Sequence, residues 1–129
     1  VISIKCNEKP LSVNKCWQGQ RFKTRDYKKY EKLLLQVLPK IKKMPEPPYF
    51  IVFEFGVSSK LADWDNPVKP LQDIIQKKYG FDDRDIITAK VDKKVTKKNQ
   101  EYFKFIIGNN KDFVRYLCDT YNLKENADG

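Results

Sequence analysis

The sequence predicts an α+β fold: one domain in the order β-α-β-α-β-β-α, with a four-stranded mixed sheet packed on helices. Three observations lead there. Apolar residues recur at helical spacing in separate stretches. Short runs rich in β-branched and aromatic residues lie between them. Proline, glycine and asparagine punctuate the boundaries. At 129 residues the chain is long enough to bury roughly two-thirds of its unfolded surface in a single core. Residues 1–129 are therefore read as one domain, with 123–129 expected as a disordered tail.

Each element has its own signal. Val1–Cys6 alternates and reads as a strand. Pro10–Thr24 is polar, aromatic and irregular, a loop or arm. From Tyr27, the residues Tyr30, Leu34, Val37 and Leu38 mark an amphipathic helix, closed by Pro39 and then by Pro45, Pro47 and Pro48. Tyr49–Phe55 is nearly continuous in apolar residues, the mark of a buried central strand. A second helix carries Val68, Leu71, Ile74, Ile75 and Tyr79 inward and stops at Gly80. It starts either with Asn66 as cap and Pro67 as first residue, or at Pro70. In Ile86–Val95 the residues Ile87, Ala89, Val91 and Val95 keep a period of two. Thr96–Glu101 is a turn, and Tyr102–Ile107 the returning strand. The last helix runs from about Lys111 to Tyr121, capped by Asn109 or Asn110, with Phe113, Tyr116 and Leu117 inward.

Composition narrows the chemistry. The chain has no histidine, which excludes Ser-His-Asp and Cys-His catalysis and imidazole acid–base work. Cys6, Cys16 and Cys118 are odd in number and none pair at metal-ligand spacing, so a disulfide framework is not expected and a reducing cytoplasm fits. The longest apolar runs fall far short of the ~20 residues of a membrane helix, and the first residues lack the pattern of a signal peptide. No membrane partner is expected. A catalyst built from this chain would work with carboxylates, lysines and a metal.

The net charge is +9, from 26 Lys+Arg against 17 Asp+Glu, and it points to a polyanionic partner. The excess is uneven. Lys15–Lys43 holds ten basic residues against Asp26 and Glu31, and Lys90–Lys104 holds six lysines against Asp92 and Glu101. Leu61–Asp85 inverts the balance, with six aspartates against four basic residues. Within it, Asp63-Trp64-Asp65-Asn66 follows a strand and loop, and Asp82-Asp83 follows the next helix. A strand–helix–strand unit that brought these together would gather three or four carboxylates, whose repulsion a hard divalent cation relieves. The simpler alternatives stay open: Asn66 as a helix cap, Asp82-Asp83 as an exposed turn, Lys69 as a surface lysine. An EF-hand is excluded, since Val68 and Ile74 stand where the loop needs Gly and Glu.

Three ordered motifs together resemble the RusA family of Holliday-junction resolvases. They are Pro10-Leu11-Ser12-Val13-Asn14, then Asp63-Trp64-Asp65-Asn66-Pro67-Val68-Lys69 with Asp73, then Gly80-Phe81-Asp82-Asp83 opening a strand. Leu61-Ala62 replaces the basic residue that often precedes the first aspartate, and Trp64 is bulkier than the usual aliphatic residue. The resemblance implies a cytoplasmic, nucleoid-associated or phage-encoded homodimer that cuts branched DNA, four-way junctions above all, with Mg²⁺ and with Mn²⁺ as a substitute. It implies that Asp63, Asp65 and Asp83 are the catalytic carboxylates and metal ligands, with Asp82 as a further ligand. Lys69 would be the catalytic lysine, and Asn14, Asn66 and Asp73 supporting residues. DNA would be held by Lys15, Arg21, Lys23 and Arg25 on one side and by Lys90, Lys93, Lys94, Lys97 and Lys98 on the other, with Trp17, Phe22 and Trp64 available to stack on bases. The rival reading is a module that binds branched or single-stranded nucleic acid without cutting it.

Overall fold

The computed structural model describes residues 1–19 and 22–124, Phe22 by its backbone alone. Strand β1 (Ile2–Cys6) is followed by a single 3₁₀ turn at Val13–Lys15 and a small ribbon, β2 (Trp17–Gln18) and β3 (Phe22–Lys23). Then come α1 (Arg25–Val37), β4 (Tyr49–Val57), α2 (Val68–Tyr79), β5 (Ile86–Val95), β6 (Tyr102–Asn109) and α3 (Phe113–Tyr121). The main sheet has the order β1-β6-β4-β5. β4 pairs in parallel with β5, and antiparallel with β6, which in turn pairs antiparallel with β1. This is the α+β domain with a four-stranded mixed sheet and three helices that the pattern predicts.

The helix boundaries follow local chemistry. Thr24 caps α1, its hydroxyl accepting from the Tyr27 amide at 3.1 Å, with Asp26 placed favourably in the first turn. The helix ends because Leu38 precedes Pro39 and takes an extended conformation. Gly80 stops α2 at φ 72°, its amide bonding the Gln76 carbonyl at 2.8 Å.

The core lies between the sheet and the pair α1–α2. Ile4, Ile51, Phe53, Phe55, Phe103 and Phe105 face Tyr27, Tyr30, Leu34, Leu71, Ile74 and Ile75. The opposite face of the sheet is apolar at one end only, where Phe50, Val52 and Ile106 meet Phe113 and Tyr116 of α3.

Five details differ from the sequence expectation. The arm is not wholly irregular, since Trp17 and Gln18 pair with Lys23 and Phe22. Val37 is 47% exposed, at the margin of the stripe that Tyr27, Tyr30 and Leu34 bury. Pro67, not Asn66, occupies the position before α2, with no side-chain cap. Asn109 caps a 3₁₀ turn, Asn110–Asp112, and α3 begins only at Phe113. Ile87 and Val95 of β5 are 59% and 50% exposed, because β5 is an edge strand that the helices only partly cover. Of the expected tail, Leu123 still bonds the Cys118 carbonyl at 2.9 Å, and residues 125–129 lie outside the described residues.

Candidate functional site

The acidic loop Ser58–Pro67 leaves the carboxyl end of β4, in the crevice where β4 and β5 both end. Open α/β-type sheets with parallel strands characteristically place their sites there. Lys93 of β5 anchors the loop, donating to the carbonyls of Lys60 at 3.1 Å and Ala62 at 2.9 Å. Asp63 follows at once and accepts from the Asn66 side-chain amide at 3.2 Å. The Val68 amide bonds the Asp65 carbonyl at 3.0 Å, so Asp65 stands just before the first turn of α2. Both carboxylates are exposed. Lys69, on that first turn, pairs with Asp73 at 2.8 Å.

The first and second motifs converge. The Val13 amide donates to the Asn66 carbonyl at 2.8 Å, tying the 3₁₀ turn of the arm to the acidic loop. Ser12 caps that turn by accepting from the Asn14 amide at 3.2 Å, so Asn14 is held there as an exposed residue. Between arm and loop opens a cavity of about 540 Å³ lined by Lys9, Ser12, Lys15, Ser59, Asp63 and Asn66 among others. Leu61, 92% exposed, stands at its edge. Lys9 and Lys15 of the arm share the cavity with Asp63 of the loop, some fifty positions away in sequence, and with Asp26 and Glu101.

The third motif does not join them within one chain. The parallel register runs from Tyr49 opposite Ile86 to Val57 opposite Val95, so Asp82 and Asp83 precede β5 at the end of the sheet opposite Asp63 and Asp65. The 12 residues of α2 lie between the two groups, about 18 Å at 1.5 Å per residue. A cluster of all four within one chain, as the strand–helix–strand argument envisaged, is not formed. Asp82 has local work: it accepts from the Arg84 amide at 2.9 Å and pairs with the Arg84 guanidinium at 3.0 Å. The backbone bond from Arg84, followed by side-chain bonds with Asp83 and then Arg84, holds the Asp82 carboxyl below the ordinary carboxylate range. Asp83 is exposed and opens the 3₁₀ turn Asp83–Asp85. Among the described residues, no group of three or more Cys, Asp or Glu side chains is disposed to hold a metal.

The basic residues divide similarly. Lys15 and Arg25 are exposed near the arm. Lys23 bonds Glu31 at 3.0 Å and lies over the Tyr27 ring. Trp17 meets Tyr27 edge-on at 5.7 Å and remains half exposed, while Trp64 is exposed on the acidic loop. Arg21 and the side chain of Phe22 lie outside the described residues. On the far face of the sheet, Lys94 pairs with Glu54 at 3.1 Å, and Lys90 with Asp92 and the Tyr121 hydroxyl. Lys97 and Lys98 sit exposed on the β5–β6 turn. That far face also carries Lys5 over the Tyr102 ring and Lys104, whose alternation with aromatic residues was not read from the sequence. The β6 alternation Tyr102, Lys104, Ile106 held the signal.

Cys16 is buried beside this site, and burial followed by the Asp73 carboxylate pushes its thiol up to about 11. It is an inert core thiol. No protein-family model matches the chain, and no curated protein matches it.

Proposed function

We propose that the chain is a Mg²⁺-dependent endonuclease acting on branched DNA, four-way junctions among them, with Asp63 and Asp65 as its metal-holding pair. The observation that carries the reading is the bond from Val13 to the Asn66 carbonyl at 2.8 Å. It joins a cationic arm to the loop of Asp63 and Asp65 beside a cavity that Lys9, Lys15 and Asp63 line.

The donor set fits the ion. Mg²⁺ keeps several waters and takes one or two carboxylates, completing its shell with substrate phosphate. Asp63 and Asp65 are two exposed oxygen donors on one loop, so they suit an ion delivered with DNA. When bound, Mg²⁺ supplies the positive charge that lets a nucleophile approach an anionic phosphodiester. The chain's own residues do the rest. Asn66 orients Asp63, Lys93 fixes the loop, and Lys69 offers its ammonium to charge developing on the phosphate once Asp73 shares it. Lys9 and Lys15 draw the backbone into the cavity. Asp83 and Asp82 belong to this reading only through a second copy, since one chain holds them at its other end.

A second reading, binding of branched or single-stranded nucleic acid without cutting, draws support from one fact: the described residues of one chain form no three-carboxylate group. One assay divides the two. Incubate the chain with a labelled four-way junction and with linear duplex of the same sequence, in Mg²⁺ and in EDTA. The endonuclease reading expects Mg²⁺-dependent cutting that favours the junction. Tight junction binding with no cutting in Mg²⁺ or Mn²⁺ selects the second reading.

A further inference from the structure

The face of the sheet away from α1 and α2 is covered only in part. The nine residues of α3 meet it at one end, over Phe50, Val52 and Ile106. Beyond that end, strand alternation places Lys5 of β1, Tyr102 and Lys104 of β6, Glu54 of β4, and Asp92 and Lys94 of β5 on this same face. A cavity of about 430 Å³ opens there against α3. Val52, Ile106 and Tyr116 are its apolar lining, and Glu54, Asp92, Lys93, Lys94 and Lys104 its charged lining. Most of these charges are answered within the chain. Lys93 bonds the loop carbonyls, Lys94 and the Tyr102 hydroxyl bond Glu54, and Lys90 bonds Asp92. Lys104 and Lys5 are the exception. The β1–β6 register sets them directly opposite each other, and among the described residues neither pairs with a carboxylate. Lys5 lies over the Tyr102 ring at 4.5 Å. Like charges opposed across two strands destabilise a sheet, so the fold carries an uncompensated pair of cations beside a partly apolar cavity.

We propose that this face docks an acidic peptide segment of a partner protein. Its carboxylates would lie on Lys5, Lys104 and Lys94, and one apolar side chain would enter the cavity over Val52 and Ile106. Three observations select such a segment. The opposed Lys5 and Lys104 are relieved by an anion placed between them. The apolar lining is covered by a side chain with no charge of its own. Glu54 and Asp92 are neighbours across β4 and β5 and keep acceptor capacity beyond the bonds they already make. A peptide backbone brings N–H donors to those two carboxylates. A phosphodiester backbone has none, and it would set its own charge against both. The face therefore favours a peptide over nucleic acid, and Lys94, which the resemblance assigns to DNA, holds a carboxylate of the partner instead.

The test uses the full chain and fluorescence anisotropy with a short labelled peptide of aspartates around one phenylalanine. The parent should bind it, and should bind an all-aspartate peptide more weakly. Lys104→Gln should weaken binding roughly tenfold, and Lys104→Arg should keep it. Lys5→Glu should abolish it. That substitution turns a like-charge cross-strand pair into an opposite-charge one, so its thermal melt should be no lower than the parent's, which separates lost binding from lost fold. Lys111→Glu, on the turn before α3 and outside this face, should bind as the parent does. A parent that does not bind the peptide at low salt overturns the proposal, as does equal binding of the all-aspartate peptide or an equal loss in Lys111→Glu. Displacement of the labelled peptide by a thymidine oligonucleotide at lower concentration than by unlabelled peptide also overturns it, and gives the face to nucleic acid. DNA cutting enters none of these readouts, so this proposal and the endonuclease reading fail separately.

Discussion

Lys93 sets the position of the acidic loop more than any acidic residue does. Its two bonds to the Lys60 and Ala62 carbonyls hold the chain just before Asp63, where charge-assisted bonds are the stronger kind. Lys93→Met keeps the stem and removes the donors. It should raise amide hydrogen exchange in residues 60–66 while leaving α1 unchanged, with a stability loss of about 1 kcal/mol. Glu31 makes the corresponding point in the helical layer. Burial works against its ionisation, yet hydrogen bonds from Lys23 at 3.0 Å and Lys77 at 3.2 Å outweigh it and hold its carboxyl below the ordinary value. A carboxyl with a lowered folded pKa stabilises above its unfolded pKa, about 4.3, and loses that contribution as pH falls through the folded value. Glu31→Gln should therefore lower stability by about 1 kcal/mol at pH 7, and the difference from the parent in thermal melts should close at strongly acid pH.

Two glycines set the local form of their elements. Gly80 ends α2 at φ 72°, a conformation that costs an L-residue about 1–2 kcal/mol. Gly80→Ala should destabilise by that amount in chemical denaturation and fray the turn that leads to Asp82. Gly56 of β4 lies directly beneath the Tyr102 ring, which an added Cβ would strike. That ring's hydroxyl donates to Glu54 at 2.7 Å, so Gly56→Ala should displace it and break the bond. The elements themselves were legible because each obeys a local rule. Leu71, Ile74 and Ile75 fall on one helical face, the apolar run of β4 marks a strand covered on both sides, and Gly80 marks a stop. The site was legible by halves. Asp63, Asp65 and the arm motif were singled out from sequence, and the Val13–Asn66 bond brings them together. Asp82 and Asp83 were grouped with them because motif order says nothing of which end of a sheet a residue occupies. A parallel crossover returns the chain to its starting end, so the length of α2 separates the two acidic groups. The exposure of Ile87 and Val95 was equally hidden, since a period of two does not say which strand lies at the edge.

At the scale of the whole molecule, the +9 charge resolves into an arm at the cavity and a lysine-bearing sheet face on the other side. Junction binding should weaken steeply with salt, and Lys15→Ala should reduce the slope of log K against log salt by about one unit, measurable by fluorescence anisotropy. Lys9 and Lys15 share one cavity with Asp26, Asp63 and Glu101, so under the proposed function a metal ion would offset the repulsion between those carboxylates and DNA. The most direct measurement is strand mapping on a four-way junction labelled on each strand in turn, with the parent chain and Asp65→Asn side by side in Mg²⁺. The account predicts nicks near the crossover from the parent, abolished in Asp65→Asn while junction binding is kept. Equal cutting by Asp65→Asn, or none by the parent, would contradict it.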